Sequence, residues 1–160
     1  MSAIMSSCGT YRYRLEREVA TVGTVFAYFG VNGSTATATE DDHTVTKWIG
    51  FTKLNGGRRF IVGNAFAYRA TDVSQLGGAY DPIGPDNDVN LAQIISDADV
   101  LVPCWGSRDK LPRRLHTRLD ALRDQLRASG KPLKVWGLSK SGDPLHPLIL
   151  AYSTPLIDWN

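Results

Sequence analysis

Apolar and polar residues change their period several times along this chain, and each change marks an element. Tyr11 to Glu18 (YRYRLERE) alternates large and charged side chains, the pattern of a half-exposed edge strand with antiparallel pairing. Val22 to Val31 (VGTVFAYFGV) is apolar almost throughout and rich in β-branched and aromatic residues, as suits a strand buried on both faces. Asn32-Gly33-Ser34 then signals a turn. From Asp41 to Leu54 the period becomes helical, with Val45, Trp48, Ile49 and Leu54 near one face and Thr39 or Asp41 as the cap. Asn55-Gly56-Gly57 stops it, and Arg59 to Phe66 (RFIVGNAF) reads as a second buried strand that runs into a polar loop, 67–72.

Pro85 opens a helix to Ala98, because proline suits a first turn and Leu91, Ile94, Ile95 and Ala98 form a stripe. Asp99 to Trp105 is a third buried strand. The leucines at 111, 115, 119, 122 and 126 recur at helical spacing, and Gly130 with Pro132 ends that helix. A last strand spans Leu133 to Leu138, followed by a loop, 139–147, and a final helical turn within 148–152. Strand and helix in alternation imply right-handed crossovers. The expected fold class is therefore α/β, a three-layer α/β/α domain over 1–160 with a mostly parallel sheet of about four strands plus an antiparallel N-terminal edge strand. Ligands of such sheets bind beyond the carboxyl ends of the strands, which selects the loops at 32–44, 67–72, 105–110 and 139–147.

Composition changes this picture little. With 160 residues and 42% hydrophobic side chains the chain can bury one core. A net charge of +2 is too small for a broad polyanion footprint. Any nucleic-acid contact must be local, and Arg108, Lys110, Arg113, Arg114, Arg118, Arg123 and Arg127 are the candidates. Asp109, Asp120 and Asp124 are interleaved with them, so a solvated helix face is the preferred reading. Cys8 and Cys104 lie far apart and make no metal-ligand spacing, so neither metal nor cofactor is expected. No stretch has the length of a signal-peptide core or a membrane span, which points to no membrane partner and a cytoplasmic location.

The loops carry the candidate chemistry. Asn32 to Thr44 (NGSTATATEDDHT) brings Asn32, Ser34 and Thr35, then Glu40, Asp41 and Asp42, to a helix start. Small residues let backbone N–H groups approach a ligand, and an acid can orient water; the same residue types also cap helices for stability alone. Asn64, Phe66, Tyr68 and Arg69 combine an amide, aromatics and a guanidinium, a set that suits a planar polar ligand or, more plainly, a strand end. Trp105 plugs a strand end or lines a site. In the last loop Lys140 and His146 stand out, and the prolines beside Leu145-His146 stiffen the backbone as a general acid or hydrogen-bond donor requires. No GxGxxG, Walker loop, GxSxG or HExxH is present.

Cys8 to Arg14, Ser34-Thr35-Ala36 with Ala38 to Asp42, Asn64 to Asp72 (NAFAYRATD), Gly84 to Asp88, Trp105-Gly106 and Gly137 to Leu150 together resemble a family of bacteria and phages, domain of unknown function 1643. Gly33 stands where that family has proline, and Ser139 where it has threonine. The family pattern is in turn distantly similar to the uracil-DNA glycosylase superfamily. The resemblance implies that Asn32 to Ala36 contacts the base, that Asn64 reads its edge and that His146-Pro147 forms a second motif. One of Glu40, Asp41 and Asp42 would then orient water, and Phe66 or Tyr68 would stack on the base. Two functions follow as expectations. One is a glycosylase-like enzyme acting on an N-glycosidic bond of DNA or a nucleotide. The other is a non-catalytic binding module, a nucleotide or nucleic-acid sensor or a phage protein that engages a host protein.

Overall fold

The computed structural model describes residues 1–34 and 36–160. Five strands form its central sheet: β1 (Ser2–Met5), β2 (Arg12–Glu18), β3 (Thr24–Asn32), β4 (Gly57–Phe66) and β5 (Val100–Pro103). Their order across the sheet is β1-β2-β4-β3-β5. In the middle, β3 runs parallel to both neighbours, with Phe26 opposite Phe60 on one side and Val100 on the other. β2 and β1 continue the sheet antiparallel. The sheet is thus mixed rather than mostly parallel, and its antiparallel part holds two strands where the pattern predicted one.

The expected edge strand is an interior one. β1 covers its outer side, pairing Ala3 with Leu15. This buries side chains whose alternation had suggested half exposure: Arg12, Arg14 and Arg17 are 3%, 8% and 1% exposed. Charge is tolerated there because acceptors come from far along the chain. Arg14 bonds Glu16 at 3.0 Å and Asp97 at 2.8 Å. Arg17 bonds Asp41 at 2.8 Å and donates to the carbonyls of Thr37 and Glu40, stapling the first loop to β2.

Helices α1 (His43–Leu54), α2 (Asn87–Asp97) and α3 (His116–Ala128) cover the sheet. Phe26, Tyr28, Phe60, Val62 and Val102 meet Val45, Trp48 and Phe51 of α1. Val25, Ala27, Phe29, Ile61 and Leu101 join Leu91 and Ile94 of α2 and Leu119, Leu122 and Leu126 of α3. Each large apolar side chain buried in these two clusters contributes roughly 1.5–3 kcal/mol. The cap of α1 is Asp42, not Thr39 or Asp41: its Oδ1 accepts from the Val45 amide at 2.9 Å. Pro112 delays α3, so that Leu115 lies in a tight turn before it (Arg113–Leu115).

The last predicted strand is mostly irregular. Its regular part, β6 (Lys134–Val135), is antiparallel to β7 (Ile157–Asp158), a bridge from Leu133 to Leu101 joins it to the main sheet, and Leu138 bridges Pro144. A helical turn follows over Pro147–Ile149. No helix among the described residues is long and apolar enough to cross a membrane.

Arg17→Met removes a buried donor and leaves the Thr37 carbonyl and Asp41 without it, while Glu40 O keeps the Thr37 amide. The expected loss is about 2–3 kcal/mol in urea unfolding. A midpoint unchanged within error would mean that the staple adds nothing.

Candidate functional site

The carboxyl ends of β3, β4 and β5 open on a cleft of about 560 Å³. Asn32 and Ser34 reach it from the end of β3 and its loop, Asp42 from the start of α1, Asn64 from β4, Trp105 from the end of β5 and His146 from the last loop. Parallel strands bring these distant turns to one rim because each crossover returns the chain to the same end of the sheet.

Asn64 is 2% exposed and lies opposite Gly30 in the β3–β4 ladder. A Cβ on Gly30 would come within 2.6 Å of Asn64 Oδ1, so a glycine is what leaves room for this amide. The amide has no side-chain partner among the described residues and faces the cleft with donor and acceptor both unused. Its backbone is held firmly. The β2–β4 ladder stops at Leu15 opposite Val62, and the carbonyls beyond are taken over by side chains. Asn87 Nδ2 donates to Asn64 O at 2.9 Å and to Ala65 O at 3.2 Å, and Arg118 Nε donates to Ala65 O at 2.9 Å.

His146 is half-buried, and its Nδ1 accepts from the Leu148 amide at 3.2 Å. The neutral ring therefore carries its proton on Nε2. Burial holds its pKa below the ordinary imidazole value, against a smaller upward pull from the Asp42 carboxylate. Of the three acids in the first loop only Asp42 lines the cleft. Glu40 is exposed, and Asp41 is bound to Arg17.

The second loop divides differently from its sequence. Phe66 is fully buried in the core under α2 and α3, and Tyr68 packs beside it, edge-on to Tyr11 at 6.2 Å. Neither ring lines the cleft; the indoles of Trp105 and Trp48 do. Arg69 holds the carbonyls of Ser34 at 3.0 Å and Gly9 at 3.4 Å. It does not pair with Asp72, which caps the turn Val73–Gly78. Asn32 spends its Nδ2 on Gly33 O and Ala70 O and so ties the first two loops together. Lys140 is exposed and away from the cleft. Thr35 lies outside the described residues.

Three residues of the site carried no sequence signal as such: Arg12, Trp48 and Asp143. Asp143 is 1% exposed and accepts from Trp105 Nε1 at 3.2 Å, the Arg108 amide at 2.9 Å and Ser141 Oγ at 2.7 Å. Burial pushes its carboxyl up, but the bonds from Arg108, Ser141 and Trp105 outweigh this and hold it below the usual carboxylate range. Arg108 spans Asp143 at 3.0 Å and Asp120 at 2.9 Å. The remaining basic stripe is largely spent at home. Arg114 donates to Gly77 O, Arg118 pairs with Asp88, Arg123 with Asp120 and Asp124, and Arg127 lies over Trp159. Among the described residues no group of three or more His, Cys, Asp or Glu side chains is placed to hold a metal ion.

Scaffold and cleft together define an α/β protein with a cleft, lined in part by polar side chains, at the carboxyl ends of its parallel strands. The chain belongs to the family described as protein of unknown function (DUF1643), whose model matches residues 12–148. No curated protein matched the chain, and no solved structure did.

Two outcomes follow from this geometry. Because the folded imidazole resists protonation, the unfolded chain binds the extra proton first as pH drops through about 6.5, and stability falls with it until the folded ring titrates as well. NMR titration is expected to place the His146 midpoint below that value, and His146→Asn to flatten the fall; a midpoint at or above it would contradict the described burial. Asp143→Ala leaves the Arg108 guanidinium with one carboxylate and the Trp105 indole with none. It is expected to cost about 2–4 kcal/mol and to alter tryptophan near-ultraviolet dichroism.

Proposed function

We propose that this protein is an enzyme that recognises a nucleobase, within a nucleotide or DNA, and cleaves its N-glycosidic bond, on a three-layer α/β/α scaffold of the uracil-DNA-glycosylase kind. The observation that carries the reading is the meeting of Asn64, Asp42 and His146 in one cleft. An unspent amide reads the hydrogen-bonding edge of a planar ring, and Trp105 and Trp48 supply flat apolar wall beside it.

Hydrolysis needs a water aimed at the sugar C1′ and a place for the electron pair of the C1′–N bond as it moves onto the base. Asp42 uses Oδ1 to cap α1, and its other oxygen has no partner among the described residues, so it is available to orient the water and take its proton. His146, neutral and protonated on Nε2, donates to the base oxygen on which negative charge gathers. A neutral donor suits this role, since it stabilises the leaving base without first having to be charged. The base must be free or flipped out of a duplex to reach the cleft.

In a panel of single-stranded and duplex DNA containing uracil and modified bases, with free nucleotides alongside, at least one member is expected to release base. His146→Ala and Asn64→Ala are each expected to lower the rate by about 10²–10³. Binding without turnover would point instead to a non-catalytic sensor, and release that is indifferent to both substitutions would defeat the assignment of roles.

A further inference from the structure

The cleft also holds a cation that the mechanism above does not use. Arg12 begins β2, is 3% exposed and is one of the residues that line the cleft. One face is covered by Gly33, where a Cβ would stand 3.0 Å from Cζ and Nε. Nη1 donates to Ala36 O at 3.0 Å, Nε is buried without a partner, and Nη2 meets no acceptor among the described residues. The other two buried arginines, Arg14 and Arg17, each hold a carboxylate, whereas Arg12 makes no ion pair among the described residues. Asp42 acts on it only as a nearby charge. Burial pulls its pKa down to about 10, which leaves it cationic at neutral pH. A buried charge with no carboxylate bonded to it is costly, and an anion entering from the cleft lowers that cost.

We propose that Arg12 is the anion-binding residue of the cleft and takes the terminal phosphate of a small ligand, which, on the reading of the cleft as a nucleobase site, makes the substrate a free nucleotide rather than a polymer. Three observations favour the small ligand. Arg12 lines the cleft and is almost wholly buried, a place that suits a compact phosphate and not a duplex backbone. The cleft volume of about 560 Å³ falls within the range that encloses small molecules. The outer arginines that would track a polyanion are mostly bound to internal acceptors, and the net charge is only +2. Lys110, exposed on the cleft wall and without a hydrogen bond or ion pair among the described residues, adds positive field at the mouth.

The test is calorimetric titration of the full chain with each common nucleoside, its 5′-monophosphate, ribose 5-phosphate and a short single-stranded oligonucleotide. One monophosphate is expected to bind roughly tenfold or more tightly than its nucleoside, as a charge-assisted bond provides. That preference should vanish in Arg12→Gln and survive in part in Arg12→Lys. Should the glutamine variant fail to fold, the wild-type ratio of monophosphate to nucleoside decides the matter. Equal binding of the two, no binding of any phosphate probe, or tighter binding of the oligonucleotide than of every mononucleotide would overturn the proposal. Arg12-dependent binding of ribose 5-phosphate that no base improves would support the anion site and defeat the nucleobase reading.

Discussion

Much of the cleft stands on one carboxylate withdrawn from water. Asp143 accepts from an indole, a backbone amide, a guanidinium and a hydroxyl, all of which compensate the loss of solvation that would otherwise keep an anion out of the interior. The donors come from opposite sides. Trp105 and Arg108 follow β5, Ser141 belongs to the last loop, and Arg108 reaches on to Asp120 of α3. One group thereby fixes where the last loop leaves the sheet, and the position of His146 three residues later follows from it. A cleft wall made of irregular backbone is thus tied to the sheet and to α3 through side chains.

Core elements were legible in the sequence to the extent that they bury a continuous face. β3, β4 and α2 came from apolar runs and helical spacing, because burial on both sides of a sheet removes polar side chains from its strands. β2 was misplaced at the edge since the partners that let its arginines be buried, Asp41 and Asp97 among them, lie far along the chain. β1, only four residues long, shows no period of its own. β6 ended early because its pairing strand lies beyond a long loop.

The site divided along the same line. Topology alone selected the loops that hold Asn32, Ser34, Asp42, Trp105 and His146, and these line the cleft together with Asn64 of β4. Which neighbours would face inward was not legible. Phe66 turned into the core, Asp41 went to Arg17 and Arg69 to two carbonyls, each choice set by packing rather than by residue type. Arg12 was hidden for the opposite reason. It sits in a strand, whose alternation gives no sign that its guanidinium lies under the first loop against Ala36 O.

Gly30 makes the cleft depend on an atom that is missing. The amide of Asn64 occupies the volume that a methyl group on the adjoining strand would claim, so shape at this point belongs to two strands jointly. An alanine there would leave charge, hydrogen-bonding inventory and the helices untouched and still turn the Asn64 amide aside. The shape of this cleft can thus be altered from a position that offers no functional group of its own.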